Sequence, residues 1–467
     1  MSGSPDLVSE PLDDLRDEDG NLRPAFVESV HAAIVAENRE ELTRLAGDLH
    51  EADLGELIEA LASEDRPRLI ALMGRDFDFT ALTEVDDAVR EEILEEVSNE
   101  AIAEGVRDLD SDDAVYILED LDAEDQEEVL ANLPAIERDT IERSLDYPEE
   151  SAGRRMQAEF IAVPPFWTVG QTIDFMRDTA DLPERFYQIF VVDADRKVVG
   201  GVGLDALLRA KRPTKISALM EPEEHQVSVD DDQEDVADIF KRYNLVTIPV
   251  VDAEERIVGV LTFDDIVDVI EQEVDEDIRA LAGVNANEEA SDPVFSIMRG
   301  RFTWLFANMI TAFIASSVLK GFQGQIEKMV ALAVLAPIVA SMGGNAGTQA
   351  MTVTVRAIAT RELNAMNAFK AVWRELRVGF LNGIAFAVTV GILAGLWFKS
   401  PDLGIVIGIA MQLVLLAAAL AGVVIPILLD RMGADPAVSS GPFVTTVTDI
   451  VGFLAFLGTA TVWFGLA

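Results

Sequence analysis

The sequence has no cysteine and only three histidines, His31, His50 and His225, all in the first half of the chain. The lack of cysteine excludes disulfide bonds and thiolate metal centres. A zinc or metalloprotease site among the later, apolar segments is not expected, because such sites use histidine ligands and these segments have none. The N-terminal residues contain neither a basic patch nor an apolar stretch, so we expect no signal peptide. Lysine is scarce as well, with eight residues among 467.

Basic residues are outnumbered, with 36 Lys and Arg against 84 Asp and Glu and a net charge of −48. Residues 1–298 hold 77 of the acids and 25 of the bases, whereas residues 299–467 hold seven and eleven. So acidic a protein is not expected to bind nucleic acid or to dock on anionic lipid. An acid-rich, lysine-poor surface is typical of proteins from a high-salt cytoplasm, where salt screens the repulsion. We therefore expect a halophilic source.

Long apolar windows in the second half predict transmembrane helices. The five windows are residues 302–319, 330–355, 377–397, 404–429 and 441–465. If the N-terminus is inside, eight Lys and Arg flank these spans on the inner side and three on the outer side. The positive-inside rule then predicts a multi-pass protein of the cell membrane with its first half in the cytoplasm.

Asp449 is the only acid deep within a predicted span. An aspartate at the centre of a membrane helix costs about 2.5–3.5 kcal/mol on insertion scales, so such residues are usually functional. No basic residue lies equally deep, which favours a bound cation as its partner. Oxygen ligands without Cys or His favour Mg²⁺ or Ca²⁺. One carboxylate surrounded by hydroxyls suits a hydrated Mg²⁺, particularly if a dimer axis brings two copies of Asp449 together.

The second span contains a glycine-rich stretch with two amide side chains. Its glycines allow either close helix packing or an opened helix whose polar groups face a cavity. The two neighbouring amides favour the second alternative, in which polar groups face a cavity. We therefore expect the pore to be lined by Gly344, Asn345, Gln349, Thr445 and Thr446.

Residues 189–208 align without gaps on residues 248–267, at an offset of 59 residues. Each copy reads as strand, turn, strand and helix, and the region 155–278 resembles a tandem CBS pair. CBS pairs commonly bind adenine nucleotides, and the second copy places Thr262 and Asp265 in the ligand positions. Helix capping explains the same residues without a ligand. The first copy has lost this pattern.

Two acidic regions flank the CBS pair. Residues 25–150 read as helices, with a weak repeat between residues 49–70 and 109–130. After the CBS pair, a helix before the first span carries Glu273, Glu276 and Asp277 on one face. A divalent ion that bridges these acids to another domain would relieve their repulsion, and a solvated linker helix is the alternative.

Three separated motifs resemble the MgtE magnesium transporter family: LDYPEESAGRRM (145–156), SMGGNAGTQ (341–349) and GADPAVSSGPFVTTVTDIVG (433–452). The resemblance implies a homodimeric Mg²⁺ channel in which Asp449 holds the hydrated ion and Asp435 lies at the cytoplasmic mouth. It also implies that cytosolic Mg²⁺ closes the channel by binding between the cytoplasmic domains and the connecting, or plug, helix. Glu273, Glu276 and Asp277 match the plug acids, and Asp113 is a candidate in the N-terminal domain.

The predicted fold is multidomain: an all-α N-terminal domain, an α/β tandem CBS pair and an all-α membrane domain of five helices. The predicted boundaries are a disordered acidic tail (1–24), the helical domain (25–150), the CBS pair (151–270, with copies at about 155–213 and 214–270), the plug helix (271–298) and the membrane domain (299–467). We expect a magnesium channel that maintains magnesium homeostasis.

The predicted partners are a second copy of the chain, the lipid bilayer, Mg²⁺ and ATP or another adenine nucleotide. No enzymatic constellation is visible in the sequence. The alternatives are a transporter for Co²⁺ or Ca²⁺ and a non-conducting membrane-anchored sensor of ions or nucleotides.

Overall fold

The computed structural model describes residues 15–17, 20–179, 182–183, 185–223, 225–284, 288, 294–363 and 367–466. Most of the predicted acidic tail and part of the predicted plug segment lie outside these residues. The chain forms two compact units, Met1–Glu273 and Val274–Ala467.

Where the structure describes it, the first unit begins with nine α-helices that enclose a core of mainly Leu, Ile and Val side chains. Several of them begin at side-chain caps: Asp122, for example, accepts hydrogen bonds from the backbone N–H groups of Glu124 and Asp125. Some of the acids in this region thus cap the N-termini of helices. The helices are α1 (Pro24–Val35), α2 (Arg39–Ala46), α3 (Glu51–Ala60), α4 (Arg66–Met73), α5 (Asp87–Glu96), α6 (Asn99–Val106), α7 (Ser111–Leu118), α8 (Ala123–Asn132) and α9 (Ala135–Leu145).

The rest of this unit is an α/β module with two small sheets. Its elements are α10 (Ala152–Arg155), β1 (Ala162–Val163), α11 (Val169–Asp178), β2 (Gln188–Val192), β3 (Val198–Gly203), α12 (Leu204–Arg209), β4 (Val227–Ser228), α13 (Gln233–Tyr243), β5 (Thr247–Val251), β6 (Ile257–Thr262) and α14 (Phe263–Ala282). In each sheet a short strand pairs parallel with a second strand, which pairs antiparallel with a third.

The sequence repeat is a structural repeat. The register shifts between Val191 and Val192 in the first sheet and between Val250 and Val251 in the second, which are equivalent positions. Arg196 and Glu255, also 59 residues apart, both adopt positive φ (64° and 65°) in the turn between the paired strands. The predicted α/β duplication is therefore confirmed.

Helix α14 continues the second repeat without a break. It starts directly after β6 and runs for 20 residues, so the last helix of the α/β module and the helix that carries the predicted plug acids are one element. At about 1.5 Å per residue, it is roughly 30 Å long.

Among its described residues, the second unit contains five helices of 28 to 31 residues that are long and apolar enough to cross a membrane. Its helices are α15 (Val294–Gly321), α16 (Gln323–Lys328), α17 (Ala331–Ala359), α18 (Ala368–Trp397), α19 (Pro401–Arg431) and α20 (Pro436–Phe464). The five predicted spans are confirmed, and most of these helices extend beyond the apolar windows. Helix α19 is the central one, with the largest buried share among the five.

Candidate ion pathway and sensing sites

Asp449 lies in the middle of α20, and its side chain is partly exposed in the single chain. Thr445, one turn earlier on the same face, is exposed as well. The Thr446 hydroxyl donates to the Pro442 carbonyl at 2.6 Å, so it retains lone pairs for a cation or its water. Among the residues that the structure describes, no Lys or Arg forms an ion pair with Asp449. Its carboxylate is thus available to a mobile cation.

The glycine-rich stretch of α17 serves close helix packing, one of the two purposes that the sequence left open. Gly343 and Gly347 are buried where α17 crosses α20, and a Cβ at Gly347 would lie 2.8 Å from Val444 Cγ1 and 3.2 Å from Thr448 Cγ2. Gly344 has open space around it. Asn345 and Gln349 are exposed one turn apart. The helix itself is continuous, so packing rather than unwinding explains the buried glycines.

Three of the five predicted pore residues are exposed in the single chain, and the other two, Gly344 and Thr446, are partly buried. Asn345 and Gln349 on α17 and Thr445 on α20 are exposed in the single chain, whereas Thr448 is buried against the glycines of α17. Exposed polar groups within membrane helices are costly in lipid, so this surface needs water or another protein surface against it.

Asp435 caps the cytoplasmic end of α20, where its carboxylate accepts a 2.7 Å hydrogen bond from the Ala437 N–H. Asp277 of α14 lies near it: partial burial and the negative charge of Asp435 raise the pKa of Asp277 above its usual value. The end of α14 packs through Ala280 against Met351 of α17 and Ala437 of α20. An acidic pair thus occurs where the connecting helix meets the membrane helices.

The other two plug acids, Glu273 and Glu276, are partly buried on α14. The Glu273 carboxylate accepts a 2.8 Å hydrogen bond from the amide of Gln233, the first residue of α13. Glu273 is therefore held against the second repeat.

A second group of acids lies in the first unit, where α7 faces the start of α14. The pKa of Asp113 rises to about 7 because of burial and the negative charge of Asp265, and burial raises the pKa of Asp265 to about 6. The pKa of Asp112 is also raised, chiefly by burial and by Asp265. We call Asp112, Asp113 and Asp265, with their acidic neighbours, the α7–α14 acid cluster. The neighbours are Glu51, Glu84, Asp110, Asp264 and Asp268.

The donor set of this cluster fits a divalent ion that keeps its water. Every member is a carboxylate, which hard cations prefer. Within the described part of the chain, no three acidic or histidine side chains converge closely enough to be direct ligands of one ion. Mg²⁺ dehydrates reluctantly and is usually bound through one or two carboxylates plus water. A divalent ion bound here would therefore be held partly through water rather than by three direct carboxylate ligands.

The proposed nucleotide residues Thr262 and Asp265 contact each other. The Thr262 hydroxyl donates to the Asp265 carboxylate at 2.5 Å, and the Thr262 N–H approaches the same oxygen at 3.4 Å. This is a local cap at the start of α14, one of the two explanations that the sequence allowed. Nucleotide binding stays a prediction.

The sequence predicts a role for Asp113 but not for the residues around it. Asp112 and Asp110 look like ordinary helix-start acids, and the sequence places Asp265 only in a nucleotide site. The signal available in the sequence was the Asp112–Asp113 pair followed by an apolar stretch, which places one carboxylate toward the core side of α7. Gln233 carried no sequence signal at all.

Three family models match the chain. The model described as divalent cation transporter (MgtE) matches residues 336–459, the MgtE intracellular N domain model matches residues 49–150, and the CBS domain model matches residues 216–272. The membrane helices, the helical domain and the second repeat are thus each matched separately.

Curated relatives match across these regions. The chain is 36% identical to a magnesium transporter MgtE of Thermus thermophilus over 69% of this chain and 72% of the relative. It is 29% identical to a magnesium transporter MgtE of Bacillus subtilis over 89% of this chain and 92% of the relative. A solved structure of the cytosolic domain of the Mg²⁺ channel MgtE in complex with ATP shares 28% identity over 52% of this chain and 99% of that one, with a TM-score of 0.49.

The five membrane helices and these matches identify a multi-pass membrane protein with a cytosolic N-terminal half. The chain belongs to the MgtE family of divalent cation transporters.

Proposed function

We propose that this chain is a magnesium channel that conducts Mg²⁺ through the membrane as a homodimer. The observation that carries the proposal is Asp449, a mid-membrane carboxylate without a basic partner among the described residues, on a helix face that is open in the single chain. Two copies related by a two-fold axis would bring this face together, so that exposed amides and hydroxyls line water rather than lipid. The names of the curated relatives support Mg²⁺ as the ion.

We further propose that cytosolic Mg²⁺ closes the channel and so maintains magnesium homeostasis. The α7–α14 acid cluster and the Asp277–Asp435 pair consist of carboxylates that repel one another. Bound Mg²⁺ would offset this repulsion and favour the arrangement in which these acids lie close together, which we call the packed arrangement. The acids proposed to bind Mg²⁺ are Asp113, Asp265, Glu273, Glu276, Asp277 and Asp435. When internal Mg²⁺ falls, the ions leave and the packed arrangement loses stability, which opens the pore.

The test of conduction is Mg²⁺ flux into proteoliposomes that contain the full-length protein. Asp449→Asn keeps the shape of the side chain and removes its charge, and we expect flux to fall at least tenfold. The matched control is Asp402→Asn at the start of α19, where the carboxylate accepts a 3.3 Å hydrogen bond from the Trp463 indole; its flux should stay near wild type. Unchanged flux in Asp449→Asn would refute the pathway.

Selectivity is measured in the same vesicles with competing ions. A single carboxylate with hydroxyl neighbours offers few direct ligands, so Ca²⁺, which wants six to eight oxygens, should permeate less well than Mg²⁺. Equal permeation of Ca²⁺ or Co²⁺ would replace the magnesium proposal by a general divalent cation transporter. The native mass of the solubilised protein, expected to be that of two chains, tests the homodimer.

A further inference from the structure

A chain of polar contacts crosses the first unit away from the α7–α14 acid cluster. The Arg155 guanidinium of α10 lies 3.3 Å from the Glu119 carboxylate, which follows α7. Arg155 also donates to the Gln233 side-chain oxygen at 3.2 Å, and the Gln233 amide donates to Glu273 at 2.8 Å. The contacts therefore run in order through Glu119, Arg155, Gln233 and Glu273, from the helical domain to the connecting helix.

Gln233 is the central link of this chain. Its side chain is 6% exposed, and its amide oxygen and nitrogen point to opposite partners, a cation and an anion. Its own N–H donates to the Glu150 carbonyl at 2.9 Å, which fixes the start of α13 against the segment before α10. A glutamine is suited to this position because it accepts from Arg155 and donates to Glu273 at the same time.

The segment that carries Arg155 is itself firmly held. The Ala152 and Gly153 N–H groups donate to the Asp231 and Val229 carbonyls at 2.7 and 2.9 Å. Ala152 and Met156 lie in the core of the second repeat. This segment therefore moves with the second repeat rather than as a free loop.

On its other side, α10 is fixed to α7. Arg154 is nearly buried, lies 3.6 Å from Glu119 and donates to the Tyr147 carbonyl at 2.8 Å. Arg155 stacks on the Tyr116 ring, and the buried Arg90 lies 4.2 Å from the centre of the same ring. These contacts involve no metal ion and add to the stability of the packing between α7 and α10.

We propose that Gln233 is a positioning residue for gating: it couples the helical domain to the connecting helix by holding Glu273 through the Arg155–Gln233 contact. This inference deepens the proposed closure by Mg²⁺ and rests on it. The hydrogen bonds stabilise the packed arrangement of α7, α10, α13 and α14 together. Their loss therefore raises the Mg²⁺ concentration that the packed arrangement requires, without any change in the pore.

The experiment uses the full-length protein with Gln233→Met, which keeps the volume of the side chain and removes both hydrogen bonds. We expect the internal Mg²⁺ concentration for half-maximal closure to rise at least tenfold, because two hydrogen bonds to charged partners are lost. Flux at low internal Mg²⁺ should equal that of wild type. The matched control is Gln226→Met, an exposed glutamine in the same unit, which should leave both values unchanged.

A second readout does not depend on conduction. Trypsin is specific for bonds after Lys and Arg, and Mg²⁺ should protect the bond after Arg279, near the end of α14, in the wild-type protein. Gln233→Met should raise the Mg²⁺ concentration for half-protection by the same factor. Gln233→Glu, which places a second carboxylate against Glu273, should raise it further.

A double-mutant cycle with Glu273→Gln separates a specific link from a general loss of stability. If Gln233 acts through Glu273, the double variant Gln233→Met, Glu273→Gln shifts half-protection by less than the product of the two single shifts. Independent, multiplicative shifts, or a Gln233→Met protein with wild-type protection, would overturn the proposal. A third outcome would refute only the proposed closure by Mg²⁺. In that case the flux of the wild-type protein would not depend on internal Mg²⁺, but Gln233→Met would still shift the Mg²⁺ concentration for half-protection.

Discussion

Asp113 and Asp265 illustrate how a single carboxylate acquires a role from its surroundings. Each would titrate near pH 4 in an unfolded chain. Burial and neighbouring charge raise the pKa of Asp113 to about 7 and that of Asp265 to about 6. The folded chain thus binds more protons than the unfolded chain between about pH 4 and pH 7. By linkage, the free energy of unfolding falls as the pH rises through this range.

We therefore expect the melting temperature of the full-length protein, without Mg²⁺ and at constant KCl, to fall between pH 5 and pH 8. Asp113→Asn should flatten this dependence, and so should Mg²⁺ in excess, because both remove the uncompensated negative charge. Asp139→Asn, an exposed acid on α9, is the control and should keep the wild-type slope. Scanning fluorimetry measures the effect; a slope equal to wild type in Asp113→Asn would contradict it.

For single residues, the sequence indicates which side chains are functional better than it indicates which residues lie beside them. Asp449 could be singled out because an acid within an apolar window stands out by itself. The partner of Asp113 could not, because Asp265 is about 150 residues away and also has a local explanation as part of the cap with Thr262. Gln233 was missed because a glutamine acquires its role only from the two charges that folding places beside it.

The close packing of α17 against α20 depends on glycine, which has no side chain, at the point where the two helices cross. A Cβ at Gly347 would meet Val444 and Thr448 at 2.8 and 3.2 Å, whereas one at Gly344 would meet nothing within 4 Å. The same stretch of helix thus contains one glycine that packing requires and one that it does not.

Gly347→Ala should destabilise the membrane unit by about 1–3 kcal/mol, the usual cost of overpacking, and reduce flux with it. Gly344→Ala should be neutral or slightly stabilising, because alanine favours the helix by up to about 1 kcal/mol. Thermal unfolding in detergent compares the two variants. Equal stability of both would show that the crossing adapts to the extra methyl group.

Helix α14 carries Asp265 near its start and Asp277 near its end, twelve residues and about 18 Å apart along one helix. Its continuity could not be predicted from the sequence, where the α/β pattern ends and the acidic stretch begins. The structure shows one helix because apolar positions such as Ile266 and Val269 pack into the second repeat while Ala280 packs against α17.

Gln272→Pro should break α14 in its middle, so that its two ends no longer move as one helix. Proline in the interior of a helix removes a hydrogen bond and costs about 3 kcal/mol, and residue 272 is exposed, so little packing is lost directly. We expect channels that conduct but no longer close at internal Mg²⁺ that closes the wild type. Gln272→Ala keeps the helix and should close normally. Normal closure in the proline variant would contradict transmission through α14.

At the scale of the whole molecule, charge separates the chain into an acidic half and a nearly balanced apolar half. The positions of the spans and the α/β duplication followed from sequence periodicity alone, because hydrophobic runs and a repeat of 59 residues are global patterns. The pairing of α7 with α14 did not, because it depends on how separate domains pack.

The excess of acids predicts a strong salt requirement. Between 0.15 and 1 M KCl the screening length falls from about 8 to about 3 Å, which weakens repulsion between neighbouring carboxylates. The melting temperature of the purified protein should therefore rise with KCl. Sucrose, which does not screen charge, should produce a smaller rise at a concentration that stabilises ordinary proteins equally. An equal response to both solutes would remove the argument for a halophilic source.

Helix α15 has one buried residue, Ala315, among its 28, and it contacts α20 at the margin of the unit. Among the five described membrane helices it is also the first to leave the ribosome. It can therefore enter the bilayer before the other helices are made, because it buries almost no surface against them. Among the five described membrane helices α20 emerges last, so α15 takes its final position only after the other four have been translated.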